Sequence, residues 1–140
     1  METRKIFERY WDNKTAIVMY QGMIESRKLE LMPSLTPFLS LTPKGRGIGS
    51  SVESTVLKWE EDETIQKLLY KQTKAQNEIN LVDSMISALN PKTREIIRKR
   101  YVERNTVEKV AEDLDISEST VIRIINSTFE IMDNVLMTAN

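Results

Sequence analysis

The stretch that most constrains the fold is residues 110–124, VAEDLDISESTVIRI. Its aliphatic residues stand at the offsets of two short amphipathic helices, and a tight turn is predicted at Asp115. Ala111 is small enough for the two helices to cross closely, and aspartate tolerates a left-handed backbone at some cost. The spacing therefore predicts a helix-turn-helix at about residues 106–137.

Other periodic segments are helical as well, so the expected fold class is all-α. Pro and Gly concentrate in one stretch and are missing from the next, which separates an irregular region from a long helix. The expected order is an N-terminal helical segment (1–31), a Pro- and Gly-rich linker (32–51), a long helix (52–88) and a helix-turn-helix DNA-binding domain (89–140).

The long central helix carries apolar and amide residues at alternating spacings of four and three. Those residues are Ile65, Leu69, Gln72, Gln76 and Ile79. Such spacing is typical of a coiled-coil seam. Two interpretations remain open at this point: the stripe packs against the rest of its own chain, or it joins copies of the chain into a homo-oligomer.

Composition excludes several kinds of function. The chain has no Cys and no His, which removes the usual zinc and copper ligands and the commonest general base. We therefore expect no enzyme, no metal site and no cofactor. No apolar run approaches the roughly 20 residues that cross a bilayer, and METRKIFERYWDN lacks the apolar core of a signal peptide. These features predict a cytoplasmic protein with no membrane partner.

The second helix of the predicted pair has the residues that a DNA groove requires. Ser117, Ser119 and Thr120 are small and polar, which leaves room for base edges. Arg123 and Asn126 share an outward face with Ser119, and Arg suits guanine while Asn suits adenine. The net charge of −1 is unusual for a DNA-binding protein. Cations nevertheless cluster just before the helix-turn-helix, at Lys92, Arg94, Arg98, Lys99, Arg100 and Arg104.

The sequence NPKTREIIRKRYVERNTVEKVAEDLDISESTVIRI resembles the fourth-region module of bacterial sigma factors. By size and order, the whole chain resembles phage and prophage late-gene activators of the RinA and ArpU type. The resemblance implies base reading at Glu118, Ser119 and Arg123. The full set of expected base contacts is Ser117, Glu118, Ser119, Thr120, Ile122, Arg123 and Asn126. The expected DNA-backbone contacts are Arg98, Lys99, Arg104 and Lys109.

Three functions are compatible with these features. The first is a sequence-specific transcription activator that binds double-stranded DNA and has RNA polymerase as a candidate partner. The second is a small terminase-like subunit of a DNA-packaging machine, which would form rings. The third is an adaptor that docks on RNA polymerase without reading bases. Oligomer size separates the second function from the first, and DNA affinity without polymerase separates the third.

Overall fold

A computed structural model describes residues 2–32 and 46–139, and every regular element in these ranges is helical. The predicted all-α class is confirmed. We label the α-helices in chain order as α1 (Glu2–Glu8), α2 (Tyr10–Leu31), α3 (Arg46–Glu61), α4 (Glu63–Ser87), α5 (Pro91–Ile97), α6 (Val107–Leu114) and α7 (Glu118–Ala139). The described residues form two compact units: a central unit (Ala16–Lys74) and a terminal unit, in which residues up to 15 pack with residues from 75 onward.

The central unit has a small apolar core. Ile24, Ile65 and Leu68 are buried, and Tyr20 and Trp59 are among the partly buried residues packed against them. The indole Nε1 of Trp59 donates a hydrogen bond of 3.2 Å to the carbonyl oxygen of Lys28. These contacts give the predicted long helix a partner within its own chain over this part of its length.

Asp62 divides the helix that the sequence predicted over residues 52–88. The structure has two helices there, α3 and α4, because one Asp62 oxygen accepts the backbone N–H of Ile65 at 3.0 Å and so caps α4. Arg27 binds the same carboxylate through two nitrogens, at 2.8 and 3.1 Å. This paired arginine holds the pKa of Asp62 below its usual value.

Most of the predicted linker, residues 33–45, lies outside the described residues. Its last residues, 46–51, are helical, because α3 begins at Arg46. The prediction treated the glycines of this stretch as helix breakers. A glycine inside a helix costs only about 1 kcal/mol relative to alanine, so neighbouring residues can outweigh it.

Aromatic rings tie α1 to the C-terminal helices in the terminal unit. Phe7 meets Tyr101 and Phe129 edge to face, with ring centroids 5.8 and 5.1 Å apart. Tyr101 and Phe129 also meet, at 5.3 Å. The indole of Trp11 donates a hydrogen bond of 2.8 Å to the carbonyl oxygen of Val102. Residues 2–15, which the sequence placed in a separate N-terminal segment, therefore belong to the same unit as the helix-turn-helix.

The chain between α5 and α6 departs from regular helix. The Asn90 side chain caps α5, and Pro91 is its first residue. A π-helical turn, Arg98–Val102, then extends α5, and Arg104, which follows the C-cap residue Glu103, has a left-handed φ of 59°. Such turns are uncommon and occur frequently at functional sites.

The helix-turn-helix has a capping side chain at the start of each helix and the predicted turn between them. Thr106 caps α6 by accepting the N–H of Lys109, and Ser117 caps α7 by accepting the N–H of Thr120 at 3.1 Å. Asp115 between them has φ 55° and ψ 49°, the left-handed conformation that the sequence predicted. Ala111 is buried, with 6% of its surface exposed. α6 and α7 pack against each other on either side of this tight turn.

Candidate nucleic-acid interface

The outer face of α7 is the surface that the sequence assigned to base reading. Ser119, Arg123 and Asn126 are all exposed, and their spacing of four and three residues places them on one side of the helix. The opposite side is fixed to the core by Val121, Ile125 and other buried residues. Burial of one side thus determines which residues of α7 face solvent.

The first turn of α7 uses some of its polar groups internally. The Ser117 hydroxyl lies 2.7 Å from the Thr120 hydroxyl and 3.2 Å from the Ser119 hydroxyl, in addition to its capping bond. Thr120 is half-buried, whereas Glu118 and Ser119 are exposed. Base contact by Ser117 and Thr120 stays a prediction, and any such contact would share hydroxyls that already stabilise the start of the helix.

Two further candidate residues differ in their surroundings. Ile122 is 48% exposed, so an aliphatic group is available for contact with a base methyl. Arg123 forms neither a hydrogen bond nor an ion pair within residues 2–32 and 46–139. Pairing with Glu118 or Glu130 would have occupied this guanidinium, and it is paired with neither of them. Arg123 is therefore free to bind an external acceptor.

Asn126 has a partner that the sequence did not indicate. The Arg4 guanidinium donates a hydrogen bond of 2.7 Å to its side-chain oxygen. Arg4 also donates to the Tyr101 hydroxyl at 3.1 Å and stacks 4.7 Å from the Phe129 ring centre. A cation from α1 consequently lies beside the outer face of α7, next to the side chain one turn after Arg123.

Three of the four predicted DNA-backbone contacts are paired within the chain. Lys99 is only 19% exposed and lies 3.7 Å from a Glu95 oxygen and 3.9 Å from an Asp113 oxygen. Lys109 pairs with Asp113 at 3.1 Å, which raises its pKa. Arg98 lies 4.0 Å from Glu95. Phosphate contact by these three residues stays a prediction and would compete with their carboxylate partners.

Arg104, the fourth predicted DNA-backbone contact, has no carboxylate partner in the described part of the chain. It is exposed, and its guanidinium carbon lies 5.0 Å from the Trp11 ring centre. Arg4 and Trp11 were not among the sequence-predicted site residues. Their contacts span 91 to 122 positions of the chain, a separation at which local periodicity carries no signal.

The described ranges contain neither a candidate metal site nor a candidate membrane-spanning helix. Residues 2–32 and 46–139 contain no cluster of three carboxylates that could hold a metal ion. None of the helices there is both long enough and apolar enough to cross a membrane.

Residues 4–134 match the model of one protein family, and that family is described as "Protein of unknown function (DUF722)". No curated protein and no solved structure matches the chain. The family match includes most of α1 and most of α7, so its pattern covers both partners of the contact between Arg4 and Asn126.

Proposed function

The chain belongs to the DUF722 family, and for this member we propose the function of a sequence-specific DNA-binding transcriptional regulator. Because the chain resembles late-gene activators, the specific proposal is that it activates phage late genes in the cytoplasm. Double-stranded DNA is the proposed ligand, and RNA polymerase is a proposed partner.

The observation that carries this proposal is the outer face of α7. An arginine without a carboxylate partner stands on it, in the described residues, between Ser119 and Asn126. Hydrogen-bond donors on an exposed helix after a tight turn suit the major groove, where each base pair presents a distinct pattern. An acidic residue, Glu130, lies on the same side of α7, about two turns beyond Arg123.

The proposal is tested by selecting duplexes from a random-sequence library with the full chain and no polymerase. We expect one enriched motif and an affinity for it at least about 1,000-fold above that for random duplexes. The Lys58→Gln variant, which removes an exposed cation of α3, should enrich the same motif. If the wild type enriches no motif, sequence-specific binding is refuted, and an adaptor that docks on RNA polymerase becomes the better proposal.

Self-association is part of the proposal, because one module of this size contacts few base pairs and two linked copies bind more tightly. Large apolar side chains on α3 and α4 support it, since Leu57, Leu69 and Tyr70 are 54%, 40% and 69% exposed. Sedimentation at tens of micromolar should show a dimer. A closed ring of many copies would favour the DNA-packaging subunit instead.

A further inference from the structure

Three arginines from two distant parts of the chain line one pocket of the terminal unit. Arg4 comes from α1, Arg100 from the π-helical turn and Arg104 from the segment that follows this turn. The pocket has a volume of about 260 Å³, and Trp11 and Tyr101 form part of its wall.

None of these three guanidinium groups has a carboxylate within ion-pairing distance in the described residues. Arg4 donates hydrogen bonds to the Tyr101 hydroxyl and to the Asn126 side chain. Arg100 donates a hydrogen bond of 3.0 Å to the carbonyl oxygen of Asn105. Glu8 also lines the pocket, but it forms no ion pair with any of them. The pocket therefore holds three positive charges and one negative charge.

Burial makes this excess of positive charge unfavourable without an anion. Arg4 and Arg100 are half-buried, and like charges that share a pocket repel each other more strongly when water is partly excluded. Burial also raises the pKa of Tyr101. Its hydroxyl keeps its proton at neutral pH and can donate a hydrogen bond to an acceptor oxygen.

The backbone at Arg104 is a second, independent observation. Its φ of 59° is a left-handed conformation, in which an arginine is strained and a glycine is not. The Arg104 guanidinium stacks on Trp11, and both residues line the pocket. Non-glycine residues in such conformations cluster at binding sites.

We propose that Arg4, Arg100 and Arg104 together hold a backbone phosphate of the DNA that α7 reads. This inference rests on the proposed function. Arg4 connects the two surfaces, because it lines the pocket and also binds Asn126 on the outer face of α7. A phosphate held there fixes the position of the duplex against the recognition helix.

The test compares Arg100→Gln and Arg104→Gly with Lys5→Gln, a control that removes an exposed cation of α1 outside the pocket. Arg104→Gly removes the charge and also relieves the left-handed strain, so it should fold at least as readily as Arg104→Gln. We measure the affinity for the selected duplex against salt concentration. The slope of log K on log salt is negative for the wild type; each pocket variant should make it shallower by about 0.9, and the control should leave it unchanged.

Three outcomes overturn the inference, and each points to a different error. If the wild type binds no duplex, the proposed function fails and the phosphate site fails with it. If the wild type binds its motif but the pocket variants keep the wild-type slope, only the phosphate site is wrong. If the slopes are unchanged and inorganic pyrophosphate, titrated calorimetrically, binds the wild type but not Arg104→Gly, the pocket takes a free anion instead.

Discussion

The Arg4 guanidinium donates a hydrogen bond of 2.7 Å to the side-chain oxygen of Asn126, although 122 residues separate the two along the chain. The same guanidinium stacks on Phe129, which is fully buried on the inner side of α7. α1 thus contacts α7 on both its exposed and its buried side. Loss of α1 packing should therefore weaken the helix-turn-helix itself.

Phe7→Ala should lower the free energy of unfolding of the terminal unit by about 3–5 kcal/mol, because it removes a buried ring that contacts Tyr101 and Phe129. Urea denaturation followed by circular dichroism measures the change. Lys5→Ala, at an exposed position of the same helix, should stay within about 0.5 kcal/mol of the wild type. Equal stability of the two variants would mean that α1 does not support the unit.

Ala111→Leu should destabilise the helix-turn-helix by about 1–3 kcal/mol, since three more carbon atoms must fit at a buried position of α6, a helix that packs against α7. Glu112→Leu adds an apolar residue at the next position, which is exposed, and it should leave the melting temperature nearly unchanged. A wild-type melting curve for Ala111→Leu would show that Ala111 does not lie at a crossing.

Asp115→Gly should raise the free energy of unfolding by about 0.5–1 kcal/mol. The left-handed conformation at φ 55° costs an L-residue roughly 1–2 kcal/mol, and the greater freedom of glycine in the unfolded chain offsets part of this gain. Asp115→Ala keeps a Cβ and should give no increase. Thermal denaturation of both variants tests the turn, and a less stable glycine variant would contradict it.

Acid should weaken the central unit through Asp62. The pKa of this carboxyl is lower in the folded chain, chiefly because Arg27 hydrogen-bonds to it, so its contribution is complete above the ordinary aspartate pKa of about 3.9. That contribution is lost as the pH falls through the lower, folded-state pKa. Asp62→Asn keeps a capping oxygen for Ile65 but has no charge to lose.

The stability difference between wild type and Asp62→Asn is therefore expected at pH 7 and should shrink from about pH 4 downward. Equilibrium unfolding in urea over this pH range measures it. A difference that stays constant down to pH 2 would show that the pair of Arg27 and Asp62 does not stabilise the folded chain.

Local features of the fold were predictable because their causes lie within a few residues. The caps at Asn90, Thr106 and Ser117 follow from a side chain that reaches an N–H three residues ahead. The left-handed turn at Asp115 follows from a tolerant residue between two apolar stripes.

Features set by packing between distant segments were not predictable. Lys99 meets Asp113 only because the π-helical turn and α6 pack together, and a π turn adds a single residue to an otherwise regular pattern. The buried stripe of α4 also differs from the predicted seam. It uses Leu68 and Ala75, each one residue before the predicted Leu69 and Gln76.

Arg123→Ala is the substitution that tests the central claim most directly. Arg123 is the one cation on α7 and has no partner in the described residues, so no neighbour on that helix can replace it. The measurement is the affinity of wild type and variant for the selected motif, for its single-base variants and for random duplexes. Lys92→Ala, at an exposed position of α5, is the control.

We predict that Arg123→Ala costs about 1–3 kcal/mol at the selected motif, relaxes the preference at one base pair and changes random binding much less. Lys92→Ala should either leave both affinities unchanged or lower the affinities for the motif and for random duplexes by the same factor. An equal loss on motif and random duplexes for Arg123→Ala, or no loss on either, would contradict base reading by the outer face of α7.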